Sequence, residues 1–102
     1  MKDWAALIAD EAQTDIKEIY QYIAFHLLEP VTAQNIVKRV RDKIDNLIIN
    51  PMGYAVYDYQ PWKSRGARRV NVGNFAVFYI PDETTGIITV IRVIYGRRNF
   101  SE

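Results

Sequence analysis

Lys63, Arg65, Arg68, Arg69, Arg92, Arg97 and Arg98 are the residues of this sequence with the clearest chemical capacity. They are interleaved with Tyr54, Tyr57, Tyr59, Trp62, Tyr79, Tyr95 and Phe100. A guanidinium is a fixed fork of donors that matches phosphate, and an aromatic ring is a stacking surface for a base. The same mixture suits a protein interface, where Trp, Tyr and Arg are the usual anchors. The plainer alternative is a set of scattered surface arginines around core aromatics. The pairs Arg68-Arg69 and Arg97-Arg98 are the densest points of positive charge. Arg39 and Arg41 read as decoration on a helix.

Other chemistry is thinly supplied. His26 is the sole histidine and there is no cysteine. No second His or Cys can join His26 around a metal, so no metal and no cofactor are expected. The lack of cysteine excludes a disulfide framework and thiol chemistry, and it fits a reducing cytoplasm. No Gly-rich phosphate loop and no recognisable Ser/His/Asp context occurs. The net charge is only +1, yet residues 1–58 sum to −3 and residues 59–102 to +4. That imbalance is either an ordinary solvated surface or one face made for an anionic partner. No run approaches the roughly 20 apolar residues that span a bilayer, so no membrane is expected. "MKDWAALIADEAQ" sets acids around a very short apolar run, unlike a signal peptide.

The elements that must position these residues fit one domain over 1–102. "WAALIA" (Trp4–Ala9) reads as a buried strand. Asp10 with Gln13 three residues later resembles a capping box. Ala12, Ile16, Ile19, Ile23 and Leu27 then form one apolar helical stripe. Pro30 ends that pattern and opens a second helix, because proline is favoured in a first turn and excluded from an interior. Ala33, Ile36, Val37, Val40, Ile44, Leu47 and Ile48 form its stripe, and Pro51 stops it at Asn50. The short link predicts an antiparallel helix hairpin. "MGYAVYDYQPWKSRG" (Met52–Gly66) reads as an irregular loop or weak hairpin. "ARRVNVG", "NFAVFYI" and "IITVIRVIY" read as three antiparallel strands joined by turns at Gly73-Asn74 and "DETTG". The expectation is an α+β fold, β-α-α-β-β-β, with the hairpin on a four-stranded, mainly antiparallel sheet.

Both sheet faces are apolar in this reading. The last strand carries Ile87, Ile91, Val93 and Tyr95 on one face and Ile88, Val90 and Ile94 on the other. The strand before it carries Phe75, Val77 and Tyr79 against Ala76, Phe78 and Ile80. Two helices cover one face only. The second face must curl, meet the Met52–Gly66 loop or bind another chain, and an uncovered patch marks a partner site. Arg68, Arg69, Arg97 and Arg98 are expected to share one surface.

"DEAQTDIKEIYQYIA", "NPMG" after the second helix, "GARRVNVGNFAVFYI" and the final "VIRVIYGRRN" together resemble the RelE/ParE superfamily of bacterial type II toxins, over nearly the whole chain. The resemblance implies a toxin kept silent by a cognate antitoxin that wraps around it as a toxin–antitoxin hetero-oligomer. RelE-like members cut messenger RNA on the ribosome without metal, by attack of the 2′-hydroxyl. ParE-like members poison DNA gyrase and are not nucleases. For RelE-like catalysis the resemblance assigns Arg68, Arg69 and Arg98. Arg65, Arg92, Tyr95, Arg97 and Trp62 are the further candidates for contact with the target or with RNA. RelE-like members commonly read aromatic-Arg-apolar-apolar-Tyr after the turn. Here the segment is Phe75-Ala76-Val77-Phe78-Tyr79, with Ala76 in place of the phosphate-holding arginine. There is no late histidine, and Tyr95 precedes the arginine pair. These departures favour the ParE-like activity over ribosome-dependent mRNA cleavage.

Overall fold

The computed structural model describes residues 3–96. The chain runs through β1 (Ala5–Ile8), α1 (Asp10–Gln21), a π-helical turn (Tyr22–His26), α2 (Pro30–Asn46) and a 3-10 turn (Pro51–Gly53). It continues through β2 (Ala55–Val56), β3 (Arg68–Val72), β4 (Phe75–Asp82) and β5 (Ile87–Tyr95). The strands make one sheet in the order β1-β5-β4-β3-β2. Among the described residues only the β1–β5 pair is parallel. The expected α+β architecture is present, with one strand more than expected. That strand, β2, pairs Ala55 with Arg69 and Val56 with Arg68. Two residues are too few for an alternating pattern to register in sequence.

Both helices pack on one sheet face. Ala12, Ile16, Ile23, Ala33, Val40 and Ile44 meet Val70, Val77, Tyr79, Ile88, Val90 and Val93 in the main core. Two details of the helices differ from expectation. No side chain caps α1: Asp10 is its first helical residue, and Gln13 Nε2 instead donates to the Ile8 carbonyl at 3.1 Å. The π-helical turn admits one extra residue per turn, so the stripe slips after Ile23. Ala24 is buried and Leu27 exposed. Leu28 follows at φ 56°, in the left-handed region, and the chain enters α2 at Pro30. The α-helical hydrogen-bond pattern of α2 stops at Asn46, with turn residues continuing to Ile49, short of the expected end at Asn50.

The second sheet face meets the 57–66 loop. Tyr57, Ala67, Ala76 and Phe78 are buried together, with Trp62, Ile80, Ile91 and Ile94 packed at their margin. The ring of Tyr57 stands edge-on to Phe78, centroids 4.8 Å apart. The broad uncovered patch is therefore largely closed from within the chain. The faces of β5 also differ from strict alternation. The β4–β5 register shifts between Phe78 and Tyr79, where Ile91 is the extra residue. A bulge moves every later side chain to the opposite face. Val93 consequently joins the main core while Ile94 joins the loop side.

Asp15 of α1 holds the strand at this bulge. Its carboxylate accepts Arg92 Nε at 2.7 Å and Nη2 at 3.0 Å, and the Val93 backbone N–H at 2.9 Å. The hydrogen bond from Arg92 to this carboxylate holds the guanidinium pKa above its usual value. Among the described residues no helix is long and apolar enough to cross a membrane.

Candidate functional site at the β3–β4 turn

Strand alternation sends Arg68 and Arg69 to opposite sides of β3. Arg68 goes to the helix side, where Nη1 donates to the carbonyl oxygens of Tyr54 and Met52. Beside it the fully buried Tyr79 hydroxyl donates to the Pro51 carbonyl at 2.7 Å. Burial pushes the Tyr79 pKa up to about 12, with the Arg68 charge pulling the other way. Arg68 thus ties β3 to the chain leaving α2. The expected single surface for both arginines does not form.

Arg69 goes to the loop side. Its guanidinium lies over the Phe78 ring at 5.5 Å, and Nε donates to Asn71 Oδ1 at 3.3 Å. It opens onto a cleft of about 310 Å³ lined by Arg69, Asn71, Gly73, Asn74, Phe75 and Gly96. Gly96 is fixed there by its N–H, which donates to the Asn74 carbonyl at 2.6 Å. Tyr95 sets its ring edge-on to Phe75, centroids 5.2 Å apart, and remains 57% exposed. Arg97 and Arg98 follow Gly96 in sequence and lie outside the described residues. The cleft therefore gathers a guanidinium and two side-chain amides, and the exposed ring of Tyr95 stands next to its Phe75 wall.

The remaining candidates stand elsewhere. Arg92 is bound to Asp15, on the helix side. Arg65 stacks over Trp62 at 4.9 Å on the 57–66 loop, where Lys63 pairs with Asp58 at 2.8 Å. His26 is exposed and stacks on Tyr22 at 5.4 Å. Three residues at or near the site gave no sequence signal. Asn71 falls beside Arg69 by the period-2 rule alone. Asp15 acts through a contact that spans 77 positions. Arg39 on α2 is the third: its guanidinium lies against Gly73.

A second concavity, about 570 Å³, runs along the helix hairpin. Ile16, Tyr20, Phe25 and Val37 line it, with Lys17 and Arg41 among its polar members. Phe25, Leu27, Leu28 and Val31 are exposed at the tip of the same hairpin.

Residues 6–100 match the family model described as the ParE toxin of the type II toxin–antitoxin system parDE. The chain belongs to the ParE toxin family. Two solved structures share the fold of this ParE-family toxin. One is described as the chromosomal ParDE toxin–antitoxin system from P. aeruginosa. It aligns with a TM-score of 0.75 at 16% identity, over 92% of this chain and 97% of that one. The other is the toxin–antitoxin complex RelBE2 from Mycobacterium tuberculosis. It aligns with a TM-score of 0.69 at 13% identity, over 91% of this chain and 98% of that one. No match was found among curated proteins. The ParE-family chain is, by this membership, a toxin of a type II toxin–antitoxin system.

Proposed function

We propose that this toxin acts in the cytoplasm by binding and poisoning DNA gyrase, without cutting RNA, and that a cognate antitoxin neutralises it. The observation that carries the reading is the burial of Ala76. In the RelE-like pattern an arginine at this place holds the scissile phosphate. Here Ala76 has no exposed surface and packs with Tyr57, Ala67 and Phe78 beneath the 57–66 loop. Arg92 is engaged by Asp15 on the helix side, and Arg68 is engaged by main-chain carbonyls. Without a cation at the phosphate, transition-state stabilisation falls by about 3–4 kcal/mol, the cost of removing a comparable oxyanion donor. The runner-up is ribosome-dependent mRNA cleavage, and the cleft beside Arg69 and Tyr95 is what favours it. Arg69 and Arg98 would then stabilise the in-line phosphate, with Arg68 holding the strand. Arg65, Trp62, Tyr95 and Arg97 are proposed to contact the target in either case.

Antitoxin docking fits the hairpin groove. Its apolar floor and the cations Lys17 and Arg41 suit an amphipathic segment bearing acidic side chains. A partner that binds only the folded toxin raises its melting temperature in proportion to ln concentration.

Expression without antitoxin is the deciding experiment. Gyrase-trapped DNA breaks with intact messages support the proposal. Cleaved messages on ribosomes, abolished by Arg98→Ala, replace it with the nuclease reading.

A further inference from the structure

Arg39 has none of the roles described so far. It lies on α2 yet does not line the hairpin groove. Its exposed side chain reaches across to the β3–β4 turn. A Cβ built on Gly73 would stand 3.1 Å from Arg39 Nη2 and 3.5 Å from Nη1, so the fork lies flat against a position with no side chain. Gly73 holds φ at 58°, which a glycine adopts without strain. Gly73 also lines the cleft onto which Arg69 opens. The turn is therefore flanked by one arginine from the helix layer and one from the loop side of the sheet.

Neither cation is neutralised. Among the described residues the ion pairs are Lys38–Asp42, Lys63–Asp58 and Arg92–Asp15, and no carboxylate reaches Arg39 or Arg69. Two forks without an ion pair at one turn, with the amides of Asn71 and Asn74 lining the cleft beside Arg69, form a donor-rich surface without an acceptor charge of its own. Such donors are the ones that contact phosphate oxygens. The exposed ring of Tyr95 at the same end adds a platform on which a base can stack.

We propose that Arg39 and Arg69 grip a nucleic-acid phosphodiester backbone from the two sides of the β3–β4 turn. This goes beyond the choice of target, since DNA and RNA present the same backbone. It also makes α2 contribute to the functional end of the sheet.

The test is fluorescence anisotropy with the purified full chain, free of antitoxin and checked for fold by circular dichroism. The probes are one labelled sequence as single-stranded RNA, single-stranded DNA and duplex DNA, with labelled polyglutamate as an acidic-protein mimic. The expected result is salt-dependent oligonucleotide binding. Arg39→Ala and Arg69→Ala should each weaken it about tenfold and flatten the slope of log affinity against log salt by about one. Arg39→Lys should recover only part, because a point charge lacks the fork. Lys38→Ala, on the same helix, should bind as the unaltered chain does. The ranking of the three oligonucleotides identifies the nucleic acid. Absence of oligonucleotide binding, an equal loss in Lys38→Ala, or polyglutamate bound as tightly as any oligonucleotide overturns the proposal. Gyrase and ribosomes are absent from the assay, so its outcome is separate from that of the toxin's target.

Discussion

The two faces of this sheet are closed by different means. One carries two helices and a core that runs from Ala12 to Val93. The other carries a single loop over four buried residues, Tyr57, Ala67, Ala76 and Phe78. Neighbouring arginines on β3 follow the same division. Arg68, on the helix face, is bonded to two carbonyl oxygens of the chain after α2. Arg69, on the loop face, rests on a ring and one amide and keeps its charge available. A side chain that meets fixed acceptors becomes part of the scaffold, and one that meets only a ring and an amide stays free for a ligand.

The largest test of this division is truncation on the helix face. Ile88 is fully buried there, so Ile88→Ala should lose about 3–4 kcal/mol in urea unfolding. That is a large fraction of the roughly 5–15 kcal/mol that holds a small domain. A loss below about 1 kcal/mol would show that the helix-covered core is not the main source of stability.

Asp15→Ala comes next. It removes the carboxylate that the Arg92 guanidinium and the Val93 N–H share, and should cost about 2–3 kcal/mol. Arg92→Met in the same chain should recover part of the loss, because the charge left behind is gone. An Asp15→Ala chain as stable as the original would mean that the bulge is held by packing alone.

The arginine pair gives the sharpest comparison. Arg68→Ala should cost about 2 kcal/mol through its bonds to carbonyl oxygens. Arg69→Ala should cost about 0.5 kcal/mol, the size of an exposed cation–π contact. Toxicity should reverse that order relative to stability: Arg69→Ala, although folded, should lose growth inhibition. Equal stability losses would erase the distinction drawn between the faces.

A single buried hydrogen bond is tested at Tyr79. Tyr79→Phe should cost about 1 kcal/mol at neutral pH through the lost bond to the Pro51 carbonyl. The native phenol keeps its proton up to about pH 12, whereas an unfolded tyrosine loses it near 10. Between those values the unfolded state binds fewer protons, so stability falls as pH rises. Unfolding measured across that window should slope less steeply in Tyr79→Phe.

Sequence periodicity carried most of the fold and only part of the site. Both helices were legible from their stripes, because an amphipathic face repeats over several turns. The π-helical turn was not, since one extra backbone residue leaves the stripe unchanged until Leu27 emerges on the wrong side. The alternating faces of β4 were legible, and those of β5 only as far as its bulge. The period-2 rule already separated Arg68 from Arg69, and the shared surface expected for them ignored it. Arg39 and Asp15 were illegible for another reason. Each acts across a tertiary gap, on Gly73 and on Arg92, and no local pattern encodes which helix faces which strand.

The parallel pairing of β1 with β5 has a consequence for how the chain comes into being. Ala5 meets Ile87, and β5 also pairs with β4 on its other side. During synthesis the N-terminal strand emerges first and waits for a neighbour that is made near the end of the described chain. The helix hairpin forms from local contacts while the sheet beneath it is still incomplete, and contacts between distant segments are slow to close. The apolar underside of that hairpin is therefore exposed until β5 inserts, a state prone to aggregate. The sheet is thus complete only after β5 has been made, and the hairpin is the first large apolar surface that the growing chain presents.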